Sequence, residues 1–474
     1  MSEARVQRRS LSAAQSGIWF AHQMDPTRQK YKIGEYVEIH GPVHTRLFDV
    51  ALRQVVRDID ALRMRSVDPE GRYALIDPQA EPSLVMLDVS AESDPDEAAL
   101  AWIGDEFGRP VDLEKGPLYR MALIKAADDR FILCHWYHHI VIDGHSRGLI
   151  IQRLADVYTA LVEGTEYAES RLGSLPDLHA ADEEYRASAA WQEDRAYWLG
   201  KLTDRPEPTR LDGRPEGGGA DGATEPFLRC TSYLPQDQVD ALRGAARAMR
   251  AHPTTLVMAA VAIHCGRATG QSDVLLSLPV GARTTPATKA AVGMTSNVIP
   301  LRVAVRPQDT LEETVRALGP EVRTALKHQR FRHEDLRREL GLGAGDDSIL
   351  GPALNIMLFD HEQLFAGHPT TVHNLSVGPV DHLSLVIYDR GHGRGWRVDF
   401  DADPAFYSRD DLKGHQRLFL RTLVELLARP DLPVGELDLV TPEERRELLE
   451  DRRGAEGVVP EGSLAELFEA QAGR

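Results

Sequence analysis

Apolar positions follow two different periods along the chain, which predicts a mixed α/β fold. Residues 131–138, FILCHWYH, form a short run rich in aromatic and aliphatic side chains, which is typical of a strand. Residues 146–162 follow with apolar positions at helical spacing: Leu149, Ile150, Leu154, Val157, Tyr158 and Leu161. The pattern predicts a strand, a tight turn and a helix that ends at Gly164.

The second half mixes elements in the same way. The spacing predicts helices over 255–270, 310–327 and 411–427, and a buried strand over 273–279. Residues 205–226 are dense in Gly and Pro, so they predict a loop or linker between halves of comparable size. Residues 442–474 predict a charged helix, a Gly/Pro break and a second short helix, which is typical of an inter-domain junction.

The composition of the chain argues against several classes of function and location. The 474 residues favour two to three structural units, and 55 basic against 73 acidic residues give a net charge of -18. That charge argues against binding nucleic acid or an anionic membrane surface. The N-terminus lacks a secretion signal, and no apolar stretch is long enough to span a bilayer. Three distant cysteines (Cys134, Cys230 and Cys265) argue against disulfides and favour a reducing compartment, so we expect a cytoplasmic protein.

The sharpest candidate for chemistry is the segment His138-His139-Ile140-Val141-Ile142-Asp143-Gly144 at the predicted strand–helix boundary. An imidazole held there by rigid elements can move a proton near neutral pH. Asp143 can lock the turn through charge and hydrogen bonds, and Gly144 can take a positive φ at the bend. The alternative is that both histidines are structural residues of a turn.

Two other chemistries overlap this segment. Residues 144–148 match GxSxG, the nucleophile elbow of α/β-hydrolases, although Ser146 also fits a helix N-cap. A metal site at His135, His138 and His139 is disfavoured, because adjacent strand residues point to opposite faces. No phosphate-cradling GxxxxGK[ST] or GxGxxG motif is present.

The HHIVIDG segment resembles the HHxxxDG motif of nonribosomal peptide synthetase condensation domains, which also occurs in related acyltransferases of the chloramphenicol acetyltransferase superfamily. Six more segments resemble the motifs of the condensation family in order and spacing: residues 11–19 followed by Asp25 and Pro26, 60–65, 184–191 with 197–198, 292–297, 328–329 with 333–336, and 352–359. Two departures stand out. Residues 57–59 are Arg-Asp-Ile where the family has Arg-His-Glu, and Thr295-Ser296 replace a common Phe-Val. The resemblance covers about residues 10–440.

The resemblance implies two chloramphenicol acetyltransferase-like α/β lobes of α+β sandwich type, arranged as a V-shaped pseudodimer with the active site between them. It places an N-terminal lobe at 1–180 and a C-terminal lobe at 190–440. Residues 441–474 are then a linker into a truncated adenylation domain.

The resemblance also implies the reaction, which is amide formation between a donor acyl thioester and an acceptor aminoacyl thioester. His139 is expected to take a proton from the attacking amine or to orient it, and both roles stay open. His138 is expected to point into the fold, and Asp143 is expected to form an ion pair with Arg283. Gly144 is expected to present its N–H to the developing oxyanion.

No cofactor or metal is expected to be bound, because both substrates ride on 4'-phosphopantetheine arms. The expected partners are donor and acceptor carrier-protein domains and an adjacent adenylation domain. A non-catalytic module of the same fold and a CoA-dependent acyltransferase remain as alternatives.

Several features favour the starter subtype, which acylates the first amino acid. They are the residues at 15–19 and 293–297, His145 in place of a common Trp, and the absence of a carrier domain before residue 11. Such a subtype implies an apolar donor pocket. The elongation subtype is the main alternative.

Overall fold

In the computed structural model, the described residues are 6–24, 30–204, 206–212, 227–343, 349–358, 363–389, 391, 393–451 and 463–472. Asp25, Pro26 and Phe359, which belong to the family-like segments, lie outside this range, as does most of the predicted 205–226 loop.

The described residues form fourteen strands and fourteen α-helices. The strands are β1 (Gln7–Ser10), β2 (Lys32–Ile39), β3 (Met64–Val67), β4 (Tyr73–Ile76), β5 (Leu84–Asp88), β6 (Tyr119–Ala127), β7 (Arg130–His138), β8 (Leu228–Leu234), β9 (Asp273–Val280), β10 (Asn297–Ala304), β11 (Ala353–Met357), β12 (Thr370–Ser376), β13 (Leu383–Asp389) and β14 (Trp396–Ala402). The helices are α1 (Ala13–Met24), α2 (Thr45–Asp58), α3 (Pro95–Gly108), α4 (Gly144–Glu163), α5 (Leu175–Arg186), α6 (Ala189–Lys201), α7 (Gln236–Ala248), α8 (Pro253–Thr269), α9 (Pro286–Ala290), α10 (Leu311–Lys327), α11 (His333–Glu339), α12 (Arg409–Ala428), α13 (Pro442–Arg446) and α14 (Leu464–Ala472).

The elements predicted from periodicity are confirmed. The 131–138 run lies in β7, and the helical patterns correspond to α4, α8, α10 and α12. Gly164 and Gly270 end α4 and α8 in the left-handed conformation, which glycine adopts without steric cost. Helix α10 begins with a capping box at Thr310, which satisfies its free N–H groups.

A five-stranded sheet has the order β12-β2-β7-β6-β5. Strand β7 lies in its interior, and all but the first of its residues are buried. Helix α4 follows β7 directly and packs with α2. Apolar side chains of this region form a large core and a smaller separate cluster with residues of α3, β6 and β7. The turn between β7 and α4 is therefore held on both sides by packed, rigid elements.

A six-stranded sheet has the order β10-β9-β11-β13-β14-β8, and a second core surrounds it. Helix α8 is buried around most of its circumference, as expected for a helix that lies against several others and the sheet. These are the two largest of four buried clusters, so the described residues have two main centres of packing.

Strand β12 crosses between these two regions. Although it comes late in the chain, it pairs antiparallel with β2 in the five-stranded sheet. The chain then returns to the six-stranded sheet as β13. If the chain is divided near residues 180–190, β12 falls in the C-terminal lobe by sequence, although it belongs to the five-stranded sheet of the N-terminal lobe. The sequence carries no local sign of this pairing, because it joins residues more than 300 positions apart.

None of the described helices is long and apolar enough to cross a bilayer.

Candidate active site

The turn between β7 and α4 is fixed by the side chain of Asp143. Asp143 is the N-cap of α4, and its Oδ1 accepts a hydrogen bond from the Ser146 backbone N–H at 2.9 Å. The prediction that Ser146 is the N-cap is therefore wrong. The carboxylate takes this role because it also finds a cation across the turn. Gly144 begins the helix without a positive φ, so the expected left-handed bend is also wrong.

His138 points into the fold. It is 1% exposed, and its Nδ1 accepts a hydrogen bond from the Ile140 backbone N–H at 3.2 Å. Its Nε2 lies 3.3 Å from His22 Nδ1 in α1. Burial holds the pKa of His138 well below its ordinary value, and the neighbouring His22 adds to this effect. A neutral His138 ties the turn to α1.

His139 is half-buried, and its backbone N–H donates to the Tyr31 carbonyl at 2.7 Å. Burial lowers the pKa of His139, and the nearby Asp143 carboxylate opposes this without reversing it. No described side chain forms a hydrogen bond with its Nδ1. The imidazole is therefore neutral near pH 7 and can accept a proton.

Asp143 and Arg283 come together across the two halves of the chain. Arg283 Nη2 lies 3.1 and 3.0 Å from the two carboxylate oxygens, and the residues are 1% and 7% exposed. Burial raises the pKa of Asp143, but Arg283 and the Ser146 N–H outweigh it and hold the pKa below its ordinary value. Thr295 donates from its backbone N–H at 3.1 Å, and its hydroxyl, 3.0 Å from the carboxylate, is shared with the Gly281 carbonyl at 2.9 Å. Asp143 is thus an ionised, fully occupied acceptor.

The two Nη atoms of Arg283 make further hydrogen bonds, whereas its Nε has no hydrogen-bond partner among the described residues. The Nη atoms donate to the carbonyl oxygens of Thr288, Ala291 and Gly293. These bonds fasten the segment that precedes β10 to the start of α4. The pair therefore joins the halves of the molecule beside the turn.

The hydroxyl of Ser146 is occupied as well. It donates to the Gly293 carbonyl at 2.8 Å and accepts from the Gly293 N–H and from Arg283. Ser146 is fully buried, with no base beside it among these partners. This geometry does not suit a nucleophile elbow, whose serine must be exposed to substrate.

Within the described residues, no cluster of three His, Cys, Asp or Glu side chains is arranged to hold a metal ion. His135 is buried and faces Glu35, with its Nε2 3.4 Å from the carboxylate.

Three contacts of this site were not predicted from the sequence. They involve His22 beside His138, the Thr295 hydroxyl on Asp143, and Gly378 beside His139. Thr295 stands at a noted departure from the family motif, which is the one signal that could have drawn attention to it. Neither His22 nor Gly378 lies in a motif that marks it.

A cleft of about 670 Å³ lies where α1, α5 and α11 meet. Phe20, Arg186 and Arg338 are among its lining residues, whereas His139 is not.

Comparison with protein families places nearly the whole chain in one of them. The model of the family described as "Condensation domain" matches residues 6–449. The chain is 39% identical over 467 residues to a dimodular nonribosomal peptide synthase of Bacillus subtilis (strain 168), covering 98% of this chain and 19% of that protein. It is 40% identical over 432 residues to an isonitrile lipopeptide synthase of Streptomyces coeruleorubidus, covering 91% of this chain and 29% of that protein. The chain thus spans less than a third of the length of these two curated relatives.

Solved structures support the same family. A mutant of the starter condensation domain of rhizomide synthetase RzmA, in complex with C8-CoA, matches with a TM-score of 0.84 and 38% identity over 91% of this chain and 98% of that one. The first condensation domain of the CDA synthetase matches with a TM-score of 0.82 and 36% identity over 92% of this chain and 99% of that one. These matches confirm the predicted α/β class and the chloramphenicol acetyltransferase-like fold. The chain therefore belongs to the condensation domain family of nonribosomal peptide synthetases.

Proposed function

We propose that this domain acylates the amine of an acceptor aminoacyl thioester, using a fatty or other apolar acyl thioester as donor. The observation that carries the proposal is the half-buried, neutral His139 at the end of β7, in a chain similar to a starter condensation domain that binds C8-CoA. The reaction belongs to the acyltransferase class.

The amine nitrogen attacks the donor carbonyl, so that a C–N bond forms and the C–S bond breaks. The amine loses one proton, and the departing thiolate gains one. An α-amino group has a pKa of about 7.7–8.0, so a useful fraction is neutral at pH 7. The thioester supplies the driving force, and alignment of the two substrates supplies much of the rate.

His139 suits two roles in this step. It can accept the amine proton and pass it to the leaving sulfur, or it can hold the amine in line with the carbonyl. Asp143 suits neither, because its carboxylate is committed to Arg283, Ser146 and Thr295. We assign Asp143 and Arg283 an architectural role and His138 a supporting one. We assign the Gly144 N–H to the oxyanion.

The expected partners follow from the relatives, which are multidomain synthetases. We propose donor and acceptor carrier domains that present substrates on 4'-phosphopantetheine arms, with an adenylation domain beyond residue 440. We place the lobes at residues 1–180 and 190–440, with β12 reaching back across them. We expect the reaction to take place in the cytoplasm.

The test uses C8-CoA as donor and leucine N-acetylcysteamine thioester (Leu-SNAC) as acceptor, with the N-acyl product measured by mass spectrometry. We expect product with the wild-type chain and a loss of about 10²–10⁴-fold with His139→Ala, the range for a lost acid–base group. Ser146→Ala is the matched control. Its folded fraction should keep activity, which the hydrolase alternative forbids.

Replacing C8-CoA with a C8-loaded carrier separates the remaining alternatives. A CoA-dependent acyltransferase would not gain from the carrier, and a non-catalytic module would form no product from either donor. Near wild-type turnover by His139→Ala would contradict the assignment of that residue.

A further inference from the structure

Gly378 faces the imidazole of His139, although the two residues are far apart in the sequence. It follows β12 by two residues, in the segment that returns to β13. The register explains this placement, since Ser376 pairs with Gly34 in β2 and Lys32 in β2 pairs with His138 in β7. Continuing β12 past Ser376 carries the backbone beside the start of β2, and β7 ends on the other side of β2, where His139 follows.

A side chain at position 378 would press on the reactive edge of the ring. A Cβ built on Gly378 would lie 3.1 Å from His139 Cδ2 and 3.4 Å from His139 Nε2. Both distances are at or inside ordinary van der Waals contact. The φ of Gly378 is +124°, a conformation that other L-residues adopt only at a steric cost. The backbone of Gly378 therefore packs closely against one edge of the imidazole, and we call this backbone the wall.

This wall is held in place by both halves of the molecule. Gly378 N–H donates to Ser376 Oγ at 3.2 Å. Arg229 in β8 donates to the carbonyl oxygens of Asn374 and Leu375 at the bulge in β12. Its other nitrogens hold Asp401 in β14 at 2.7 Å.

A second ion pair fixes the other side of the same segment. Lys30 lies 3.5 Å from Asp381 and 3.4 Å from Asp403. Asp381 is three residues after Gly378, and Lys30 precedes Tyr31, whose carbonyl holds the His139 N–H. The segment 376–381 is thus anchored before and after Gly378.

Besides the backbone groups of His139 and Ile142 that act on its ring, packing is what orients His139. Its Nδ1 has no hydrogen bond to a described side chain, and Asp143 is turned to Arg283. We propose that Gly378 is a positioning residue for the amide-forming step, with its bare backbone setting the place of His139 Nε2. The inference rests on the proposed role of His139. A misplacement of a reacting group by about 1 Å can cost about 10²-fold in rate.

The test compares Gly378→Ala with Gly367→Ala in the C8-CoA and Leu-SNAC assay. Gly367 also has a positive φ, +80°, but a Cβ there meets no atom within 4 Å, so it controls for backbone strain without contact. We expect kcat to fall about 10- to 100-fold in Gly378→Ala, with the KM for Leu-SNAC changed less than about threefold. We expect Gly367→Ala to retain at least about half of the wild-type kcat among folded molecules.

A second readout does not depend on activity. In protein labelled with ¹³C-histidine, the ring resonance of His139 is assigned by its disappearance in His139→Ala. Gly378→Ala should shift this resonance, whereas Gly367→Ala should not. If His139→Ala stays active while Gly378→Ala still shifts the ring, the proposed function of His139 fails and the positional inference stands.

Ser376→Ala keeps glycine at 378 and removes only the hydroxyl that holds its N–H, so it applies if Gly378→Ala does not fold. We expect it to lower kcat by about three- to tenfold and to shift the His139 resonance. A folded Gly378→Ala, or failing that a folded Ser376→Ala, with kcat within twofold of wild type and an unmoved His139 resonance would overturn the proposal.

Discussion

Asp143 and His139 are four residues apart, yet they have different roles: Asp143 forms an ion pair, and His139 is a neutral imidazole. The Asp143 carboxylate meets the Arg283 guanidinium and three hydrogen-bond donors from Ser146 and Thr295, so it has no free capacity to take a proton from an imidazole. Its negative charge still opposes the lowering of the His139 pKa by burial. Asp143 therefore holds the turn, and His139 remains available to the substrate.

Removing one member of the Asp143–Arg283 pair should destabilise the protein strongly. Asp143→Ala leaves a buried guanidinium, and Arg283→Ala leaves a buried carboxylate, so each should cost about 3–5 kcal/mol of unfolding free energy. Urea unfolding measures this cost, and the double variant should lose less than the sum of the two singles. Single variants within about 1 kcal/mol of wild type would contradict a structural role for the pair.

The lowered pKa of His139 predicts the shape of the pH–rate profile. Below pH about 7.7 the acceptor amine becomes protonated, so log(kcat/KM) for Leu-SNAC should rise with a slope of about one. His139 begins to take up a proton only below its ordinary value of 6.5, because burial depresses its folded pKa. The slope should therefore approach two only below pH about 6.5. In His139→Ala the residual rate should keep a slope of one, and a second titration above pH about 7 in the wild type would contradict a half-buried, neutral imidazole.

At the scale of elements, local sequence was sufficient to predict β7 and α4 but not what caps the helix. Residues 131–138 and 146–162 carry their periods clearly, and the observed elements are Arg130–His138 and Gly144–Glu163. Asp143, rather than Ser146, became the N-cap because Arg283, 140 residues away, holds the carboxylate at the helix start. Capping preference alone does not distinguish Asp from Ser, so the choice depended on a tertiary contact.

The residues of the candidate site that lie in a motif could be predicted from the sequence, and those outside a motif could not. The motif drew attention to His138, His139 and Asp143, and the resemblance pointed to Arg283. Gly378 reaches His139 only because β12 pairs with β2. Strand pairing across more than 300 residues leaves no local pattern, so the wall behind His139 could be found only in the folded structure.

At the scale of the whole molecule, two large packed cores are joined by contacts that include two sets of ion pairs. Arg283 on Asp143 joins the cores beside the β7–α4 turn, and Arg229 with Lys30 anchors the segment that carries Gly378. The first connection includes Asp143, whose charge acts on His139, and the second holds the segment whose Gly378 lies against the His139 ring. The relative placement of the halves and the geometry around the imidazole are therefore set by the same contacts.

The donor preference is a property of the whole domain, and it separates the starter from the elongation subtype. A starter domain must accept an uncharged acyl chain, whereas an elongation domain must accept a donor with a polar peptide backbone or an α-ammonium group. Moving an ammonium group into an apolar pocket without a partner costs several kcal/mol, and each 1.4 kcal/mol is about a factor of ten in rate. Given the similarity to a starter domain across 98% of that domain, we expect the apolar donor to be preferred by at least about tenfold.

The measurement compares a C8-loaded carrier with a leucyl-loaded carrier in separate reactions at equal concentration, with the product formed on Leu-SNAC quantified in each by mass spectrometry. Because both donors share the same carrier and arm, docking contributes equally and the ratio of products reports the acyl group alone. The same reactions without the domain provide the background of uncatalysed aminolysis for each donor. A ratio that favours the leucyl donor would assign the domain to the elongation subtype, since an uncharged pocket cannot select the charged group.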